Sequence, residues 1–347
     1  MSDKVKVGVI GLGMGKFHIR NYKASPNAEL VAICDLNVER LNSMKEQENI
    51  PFAFTDYRDM LLSDDIQGVS IAVPNFLHKQ IAIDAMKAGK HVLCEKPMAM
   101  NAQEAQEMVD VAKASGVKFM MHFNSRFVPD VRFLKKRIEA GELGEIYYAK
   151  AGWLRRRGIP RGTGWFADKA KAGGGPLIDL GVHVLDLSLW LMGNPKVVSV
   201  SGSTYSQLGN ELMKDSDRVF DVEDLASAFL RLDNGATLLL ETSWAQNIVG
   251  KKSDKYIELY GYKGGVRWGG DDPIPLKMVE DRCGDISEFQ PVQLSEGYLE
   301  TPQHHFVTSI LEDKEPMATA EHGLEVMKVL DAIYLSAKKG EEIRVRV

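Results

Sequence analysis

The sequence predicts an α/β protein whose first third folds as a doubly wound parallel sheet. Two observations carry this prediction: short apolar strands alternate with helices, and a glycine-rich turn follows the first strand. Strands separated by helices form parallel βαβ units, because a parallel neighbour is reached only through a crossover. The length of 347 residues favours two domains, each large enough to bury its own core.

The predicted elements of this first part follow one another closely. The strands are Lys4–Ile10, Ala28–Cys34, Phe52–Phe54, Gly68–Ala72, His91–Cys94 and Val117–Met121. The helices are the segment up to Lys23, then Val38–Glu48, Tyr57–Leu62, Phe76–Ala88 and Ala102–Ser115. Ligands of such sheets lie beyond the carboxyl ends of the strands, which points to the loops Val73–Asn75, Glu95–Pro97 and His122–Phe127.

The turn after the first strand suits a dinucleotide. Glycines let the backbone approach a pyrophosphate, which the N-terminus of the following helix attracts. Asp35 ends the second strand, where it can accept from both ribose hydroxyls and would repel a 2′-phosphate, so NAD is favoured over NADP. Gly15 stands one position earlier than the third glycine of the standard fingerprint, where Lys16 is found.

A second glycine-rich stretch opens a helix that is apolar almost all round. Gly173–Gly175 and Pro176 precede the helix, and Asp179, His183 and Asp186 fall on one polar stripe. Titratable groups in an apolar helix are costly unless something satisfies them. Asp179 and His183 are interpreted as catalytic, as a buried hydrogen-bonded pair, or as metal ligands. Asp186 is interpreted as a structural partner.

Composition and charge narrow the function classes. The chain is 44% hydrophobic and 26% charged, as in ordinary globular proteins, and its net charge of -5 argues against nucleic acid or an anionic membrane as the main partner. No signal peptide or membrane-spanning run is found, so we expect a cytoplasmic protein. Cys34, Cys94 and Cys283 are too scattered for a disulfide framework or a zinc site. We expect no metal, although His304 or His305 could supply a third ligand across the fold.

The second part of the chain is rich in strands. They are Ile146–Trp153, Val197–Tyr205, Leu225–Leu232, Thr237–Ser243, Tyr256–Tyr260 and Gly265–Trp268. Asp233–Ala236 reads as a hairpin turn between two of them. Helices are predicted at Arg132–Ala140, Asp179–Leu191, Pro302–Leu311 and Gly323–Ala337.

Three stretches resemble signatures of the glucose-fructose oxidoreductase/inositol dehydrogenase/rhizopine catabolism (Gfo/Idh/MocA) family. They are Lys90–Ala99, Gly174–His183 and Glu321–Ala337, in the family's order along nearly the whole chain. The resemblance implies a Rossmann domain at 1–124 and, at 125–347, a substrate-binding and oligomerisation domain with a large, open, mostly antiparallel sheet. It also implies that the final helix can pack back on the first domain, and that copies pair through the open sheet into homodimers or homotetramers.

The resemblance implies a catalytic set of Lys96, Asp179 and His183. His183 could take the hydroxyl proton, Lys96 could place positive charge beside the developing alkoxide, and Asp179 could bind a neighbouring hydroxyl and orient His183. The cofactor-binding residues that it implies, together with those of the glycine turn, are Gly11, Gly13, Met14, Gly15, Asp35, Pro74, Asn75, His78, Glu95, Lys96 and Asn124.

The substrate is expected to be a sugar or polyol. Arg126 resembles a family position at the boundary of cofactor and substrate, and aromatic residues with arginine suit stacking on a sugar ring. The expected substrate contacts are Lys96, Arg126, Trp153, Arg155, Trp165, Asp179 and His183. A solvated strand end or a subunit interface explains the arginines at 155–157 equally well.

The leading hypothesis is NAD-dependent oxidation of a ring secondary hydroxyl of a sugar, glycoside, inositol or related polyol to the ketone, with His183 as general base. One alternative is an enzyme that retains NAD and cleaves a glycoside by oxidation and elimination. Another is a non-catalytic sensor of sugar or NAD, and a third is reduction of a small imine or conjugated ring. The intact Lys96, Asp179 and His183 favour sugar oxidation.

Overall fold

The computed structural model describes residues 4–160, 164–215, 217, 219–291, 293–294, 297 and 299–345. These form two compact units. The first contains the chain up to Asn124 together with Glu300–Leu324, and the second contains Ser125–Leu299 and the chain from Glu325 onward. Within the described residues, none of the helices is long and apolar enough to cross a membrane.

The first unit contains a six-stranded parallel sheet of order β3-β2-β1-β4-β5-β6. Its strands are β1 Val5–Ile10, β2 Ala28–Cys34, β3 Phe52–Phe54, β4 Gly68–Ile71, β5 His91–Cys94 and β6 Phe119–Met121. The helices between them are α1 Leu12–Ala24, α2 Val38–Glu48, α3 Tyr57–Leu61, α4 His78–Lys87 and α5 Ala102–Ser115. The strand order reverses beside β1, so the carboxyl ends of β1 and β4 border the crevice in which such sheets bind ligands. The predicted doubly wound sheet is confirmed.

The second unit contains a nine-stranded sheet of order β14-β13-β12-β11-β7-β10-β9-β8-β15. Only the pairing of β7 with β10 is parallel among these neighbours. The strands are β7 Ile146–Arg155, β8 Val197–Tyr205, β9 Leu225–Leu232, β10 Thr237–Ser243, β11 Ser253–Gly261, β12 Gly264–Gly269, β13 Leu276–Arg282, β14 Asp285–Phe289 and β15 Ile343–Arg344. The predicted large, mostly antiparallel sheet is confirmed.

The helices of the second unit are α6 Pro129–Glu139, α7 Lys169–Ala172, α8 Val182–Leu191 and α9 Gln207–Met213. A π-helical turn, Leu177–Gly181, leads directly into α8. The short helices α7 and α9 and the last three strands were not predicted. Strand β14 shows why: its side chains are mostly exposed, and it is defined by pairing with β13 rather than by an apolar pattern.

Residues 300–324 belong to the first compact unit, whereas the predicted division places them in the second domain. Helix α10, Pro302–Leu311, buries Phe306 completely, and a Cβ on Gly68 of β4 would lie 3.2 Å from that ring. Thr319 pairs with Met120 beside β6, and helix α11, Ala320–Lys339, begins there. The first turn of α11 lies against the same sheet, since a Cβ on Gly323 would meet Met121 at 2.8 Å.

Candidate active site

The glycine turn of the first unit has the shape that a pyrophosphate requires. Gly11 adopts a φ of +88°, and a Cβ there would lie 2.5 Å from the Ala72 carbonyl oxygen. A Cβ on Gly13 would meet nothing within 4 Å, so this face of the turn is open to an approaching group. Gly15 packs α1 on β1, because its Cβ would lie 2.8 Å from Val9. Gly15 therefore permits the close packing of helix on strand that the third glycine of the standard fingerprint permits, although Gly15 stands one position earlier in the sequence.

Asp35 lies at the end of β2, beside this turn. Its carboxylate accepts from the Leu12 and Asn37 backbone amides at 2.7 and 2.8 Å. The Arg40 guanidinium grips both of its oxygens, at 2.8 and 3.1 Å. Burial raises the pKa of Asp35, but the hydrogen bonds from Arg40, Asn37 and Leu12 outweigh burial and leave that pKa below its usual value. The carboxyl end of β2 thus holds an anion with a cation beside it.

The loop after β4 holds its predicted residues in a single turn of 3₁₀ helix, Asn75–Leu77, which Pro74 precedes. His78 follows, fully buried, and its two ring nitrogens face the carbonyl oxygens of Pro97 and Val73 at 2.7 and 2.9 Å. The ring therefore lies between the loops that follow β4 and β5, and the cofactor contact of His78 stays a prediction.

The loop after β5 carries Glu95 and Lys96. Glu95 Oε1 lies 3.0 Å from His18 Nε2 and 3.0 Å from His122 Nδ1, while its Oε2 accepts from the Lys96 backbone amide at 3.2 Å. The Lys96–Pro97 peptide is cis. Burial raises the pKa of Glu95, but the two histidines that face its Oε1 overcome burial and leave that pKa well below its usual value.

His18, Glu95 and His122 are also close enough together to hold a metal ion. A histidine that binds a metal donates its second N–H to an acceptor. The second nitrogen of His122 instead faces the amide nitrogen of Gln303 at 3.0 Å, and that of His18 is buried with no partner among the described residues. The surroundings therefore favour a hydrogen-bonded cluster.

The glycines before the polar helix of the second unit are explained by what lies against them. Glu223 accepts from the Gly175 and Leu177 amides at 2.9 and 3.0 Å, and so caps the N-terminus of this helix. A Cβ on Gly175 would lie 2.0 Å from the Glu223 carbonyl oxygen, and one on Gly174 would lie 2.0 Å from the Tyr334 hydroxyl. Tyr334 also donates to Glu223 at 2.8 Å. Burial raises the pKa of Glu223.

Asp179 and His183 lie on either side of the junction between the π-helical turn and α8. The indole of Trp244, which is fully buried, donates from Nε1 to Asp179 Oδ2 at 3.0 Å. The His183 ring lies 5.5 Å from the ring of Trp153 on β7. π-turns inside α-helices are frequent at functional sites, and this one carries the predicted catalytic carboxylate.

The third polar residue of the stripe, Asp186, forms a two-pronged ion pair with Arg126 at 2.6 and 3.0 Å. Each side chain is only 1% exposed. Burial raises the pKa of Asp186 although the guanidinium opposes the change. The Arg126 guanidinium is thus buried against Asp186 within the second unit, and its contact with substrate stays a prediction.

Cations surround Trp153 close to His183. The Arg155 guanidinium lies 4.9 Å, and the Lys255 ammonium 4.4 Å, from the Trp153 ring. Trp165 stacks on Phe166 at 4.0 Å. In contrast, Arg156 donates to the Ile248 and Lys251 carbonyls, and Arg157 to the side chain of Asn247. Residues 161–163, between these arginines and Trp165, lie outside the described residues.

Each unit therefore brings together part of the predicted set. The first holds the glycine turn, Asp35 and Lys96, and the second holds Asp179 and His183 with Trp153 and Arg155. Trp244, Glu223 and Lys255 were missed. The one available signal was that Trp244 follows β10 at the strand's carboxyl end, where side chains from a sheet often meet a ligand.

Comparisons with known proteins agree with this architecture. The Gfo/Idh/MocA model for an oxidoreductase family with an NAD-binding Rossmann fold matches residues 5–123. The model of the C-terminal α/β domain of that oxidoreductase family matches residues 135–346.

Among curated proteins, a D-glucoside 3-dehydrogenase of Escherichia coli is 31% identical over 99% of this chain and 98% of its own. A myo-inositol 2-dehydrogenase of Thermotoga maritima is 29% identical over 92% of each chain. The structure of a levoglucosan dehydrogenase in complex with NADH, 27% identical, matches with a TM-score of 0.88 over 99% of this chain and 100% of that one. The family resemblance is confirmed: the chain belongs to the Gfo/Idh/MocA oxidoreductases, and residues 5–123 are their NAD-binding Rossmann domain.

Proposed function

We propose that the protein oxidises a ring secondary hydroxyl of a glycoside to the ketone with NAD, and that the preferred position is C3 of a glucoside. The class of substrate is supported by the relatives, which are named as dehydrogenases of a glucoside, an inositol and levoglucosan. The E. coli relative, which is named for position 3, supports that choice of hydroxyl.

The single observation that carries the proposal is the hydrogen bond from Trp244 to Asp179, on the helix of His183. One Asp179 oxygen is held by the indole, which orients the carboxylate as an acceptor for a sugar hydroxyl. His183 is 9% exposed beside Trp153, whose ring offers a face to an apolar sugar surface. A polyhydroxy ring needs this combination of an aromatic face and a fixed acceptor.

Bound NAD supplies the acceptor for the hydride. The glycine turn and Asp35 would hold it, because the turn is open at Gly13 and the carboxylate stands at the ribose end. His183 then takes the proton of the reacting hydroxyl as the carbinol carbon loses its hydride. Lys96 stabilises the negative charge that develops on that oxygen, and Asp179 fixes a neighbouring hydroxyl.

A panel of methyl glucosides, their 3-deoxy analogues and myo-inositol, assayed with NAD by absorbance of NADH, tests the proposal. We expect turnover of the glucosides, a 3-keto product, no turnover of the 3-deoxy compounds, and loss of at least about 100-fold in kcat for His183→Asn. Retained turnover by His183→Asn would contradict the role of His183. Release of the aglycone without net NADH would instead support cleavage by oxidation and elimination.

We also propose that copies pair through the open face of the large sheet. Tyr147, Tyr262 and Ile286 are 58%, 65% and 75% exposed, and they line one depression of about 530 Å³ on this sheet. Exposed apolar side chains grouped in this way are typical of an interface. Light scattering should give the mass of a dimer or tetramer, and Tyr262→Glu with Ile286→Glu should reduce that mass. A monomeric wild-type protein would contradict the proposal.

A further inference from the structure

A hydrogen-bonded chain of side chains runs beneath the loop of Lys96, entirely within the first unit. Asn21 of α1 donates to Gln303 Oε1 at 2.8 Å, and the Gln303 amide nitrogen lies 3.0 Å from His122 Nε2. His122 Nδ1 lies 3.0 Å from Glu95 Oε1, and Glu95 Oε2 accepts from the Lys96 backbone amide. Gln303 is fully buried, and the side chains of His122 and Glu95 are 11% and 13% exposed.

The direction of these hydrogen bonds follows from Glu95, whose carboxylate is an acceptor only. A carboxylate at 3.0 Å requires a proton on His122 Nδ1, because two acceptors would repel each other there. A neutral imidazole then has a bare Nε2, which needs a donor, and the Gln303 amide nitrogen provides one. Asn21 donates to the oxygen of the same amide, which agrees with that orientation of Gln303. The two ends thus select the same tautomer of His122.

His18 completes the environment of Glu95. Its Nε2 donates to Glu95 Oε1 at 3.0 Å, and its ring lies 4.5 Å from that of His122. Burial lowers the pKa of His18, which keeps this second imidazole neutral. Glu95 therefore receives fixed donors on both oxygens, and it cannot rotate without leaving one of them unpaired in a buried site.

We propose that His122 is a positioning residue, held by Gln303 in the Nδ1–H tautomer, and that it acts through Glu95 on the loop that carries Lys96. The catalytic consequence rests on the proposed function, but the tautomer and its link to NAD binding do not. The ligand class is unchanged: the inference concerns which residue orients the loop that meets the cofactor.

Nitrogen NMR of the ¹⁵N-histidine-labelled full chain tests the tautomer, with the signals of His122 identified by their loss in His122→Asn. We expect a protonated Nδ1 and an unprotonated Nε2 at neutral pH. A neutral His122 with its proton on Nε2, or an imidazolium, would overturn the proposal. Gln303→Glu has the same shape but presents an acceptor to Nε2, so it should convert His122 to the imidazolium; an unchanged His122 would show that Gln303 does not set its state.

Paired variants of His122 test the effect on the loop. The amide nitrogen of Asn can stand in the place of Nδ1, whereas Leu removes the donor to Glu95. We expect His122→Leu to weaken NAD binding and to lower kcat by about tenfold or more, and His122→Asn to recover most of the loss. Equal losses in both variants would show that His122 contributes only packing, and would overturn the proposal. If His122→Leu does not fold, the NAD affinity and the His122 signals of Gln303→Glu decide. Absence of sugar turnover in the wild type would reject the proposed function and leave the NAD and NMR results to judge this inference.

Discussion

The indole Nε1 of Trp244 donates a 3.0 Å hydrogen bond to Oδ2 of Asp179, although 65 residues separate them in the chain. The indole is fully buried in a cluster with Ala167, Leu180 and Val222. Its position is fixed from behind, since the Trp244 amide donates to the Asp224 carbonyl at 2.9 Å. The geometry of the predicted catalytic carboxylate therefore depends on a residue from another element.

Trp244→Phe is expected to lower kcat by about tenfold or more, because the ring remains while the donor that orients Asp179 is lost. Trp268→Phe is the matched control: Trp268 is 2% exposed, and its indole nitrogen has no partner among the described residues. Steady-state kinetics of the two variants with saturating NAD provide the measurement. Equal losses in both would show that Trp244 contributes only packing.

The glycines before the helix give a second prediction. Gly175→Ala places a Cβ 2.0 Å from a backbone oxygen of Glu223, which cannot move aside, so it should cost about 1–3 kcal/mol or more of unfolding free energy. Gly174→Ala meets the far end of the Tyr334 side chain, so the second change Tyr334→Leu should relieve it but leave Gly175→Ala unimproved. Thermal melting of the single and double variants checks this. Relief of both glycine variants by Tyr334→Leu would contradict the assignment.

Removing one partner of the buried pair of Arg126 and Asp186 should lower the free energy of unfolding strongly, whereas replacing both partners by apolar residues should lower it much less. Asp186→Leu removes the carboxylate that faces the buried guanidinium of Arg126 and should lose about 3–5 kcal/mol of unfolding free energy, while the double variant Arg126→Met with Asp186→Leu should recover most of that loss. Chemical denaturation measures both. A double variant no more stable than Asp186→Leu would contradict this account.

The raised pKa of Asp186 also determines the direction in which the free energy of unfolding changes with pH. Because the folded pKa exceeds the unfolded value of about 3.9, the stability that this group contributes is fully present below that pH and is lost as the pH rises through the folded pKa. The double variant should lack this component.

Arg40 is expected to moderate the preference for NAD. It forms a two-pronged ion pair with Asp35 and is 46% exposed, so it offsets part of the repulsion between Asp35 and a 2′-phosphate. Arg40→Gln should therefore weaken NADP binding more than NAD binding, by about tenfold in the ratio. Dissociation constants for both cofactors measure this, with Arg58→Gln as an exposed control. An unchanged ratio in Arg40→Gln would contradict the prediction.

Periodicity and turn residues predicted the first sheet well, because each βαβ unit is local in sequence. β2, α2, β3, β5 and α5 begin and end at the predicted residues. The membership of 300–324 in the first unit could not be predicted in this way, since an amphipathic helix such as α10 does not indicate which sheet it covers. Phe306 reveals that partner only through its contact with Gly68.

The same difference between local and long-range signals applies to the residues of the candidate site. Asp179 and His183 could be found because a polar stripe on an apolar helix demands an explanation, and the glycine turn because of its place after a strand. Trp244, Glu223 and Gln303 were missed, since each acts on residues distant in sequence through hydrogen bonds of its side chain. The π-helical turn was also missed, because the i, i+4, i+7 spacing assumes a regular helix.

His183 and Asp179 are proposed to act together in the NAD-linked oxidation of a sugar hydroxyl. The most direct measurement is NADH formation from methyl glucoside by the wild-type protein, by His183→Asn and by Asp179→Asn, with NAD affinity determined for each. We expect turnover in the wild type, loss of at least about 100-fold in kcat in both variants, and NAD affinity within about threefold of wild type. Turnover at the wild-type rate in either variant, with NAD still bound, would contradict the account.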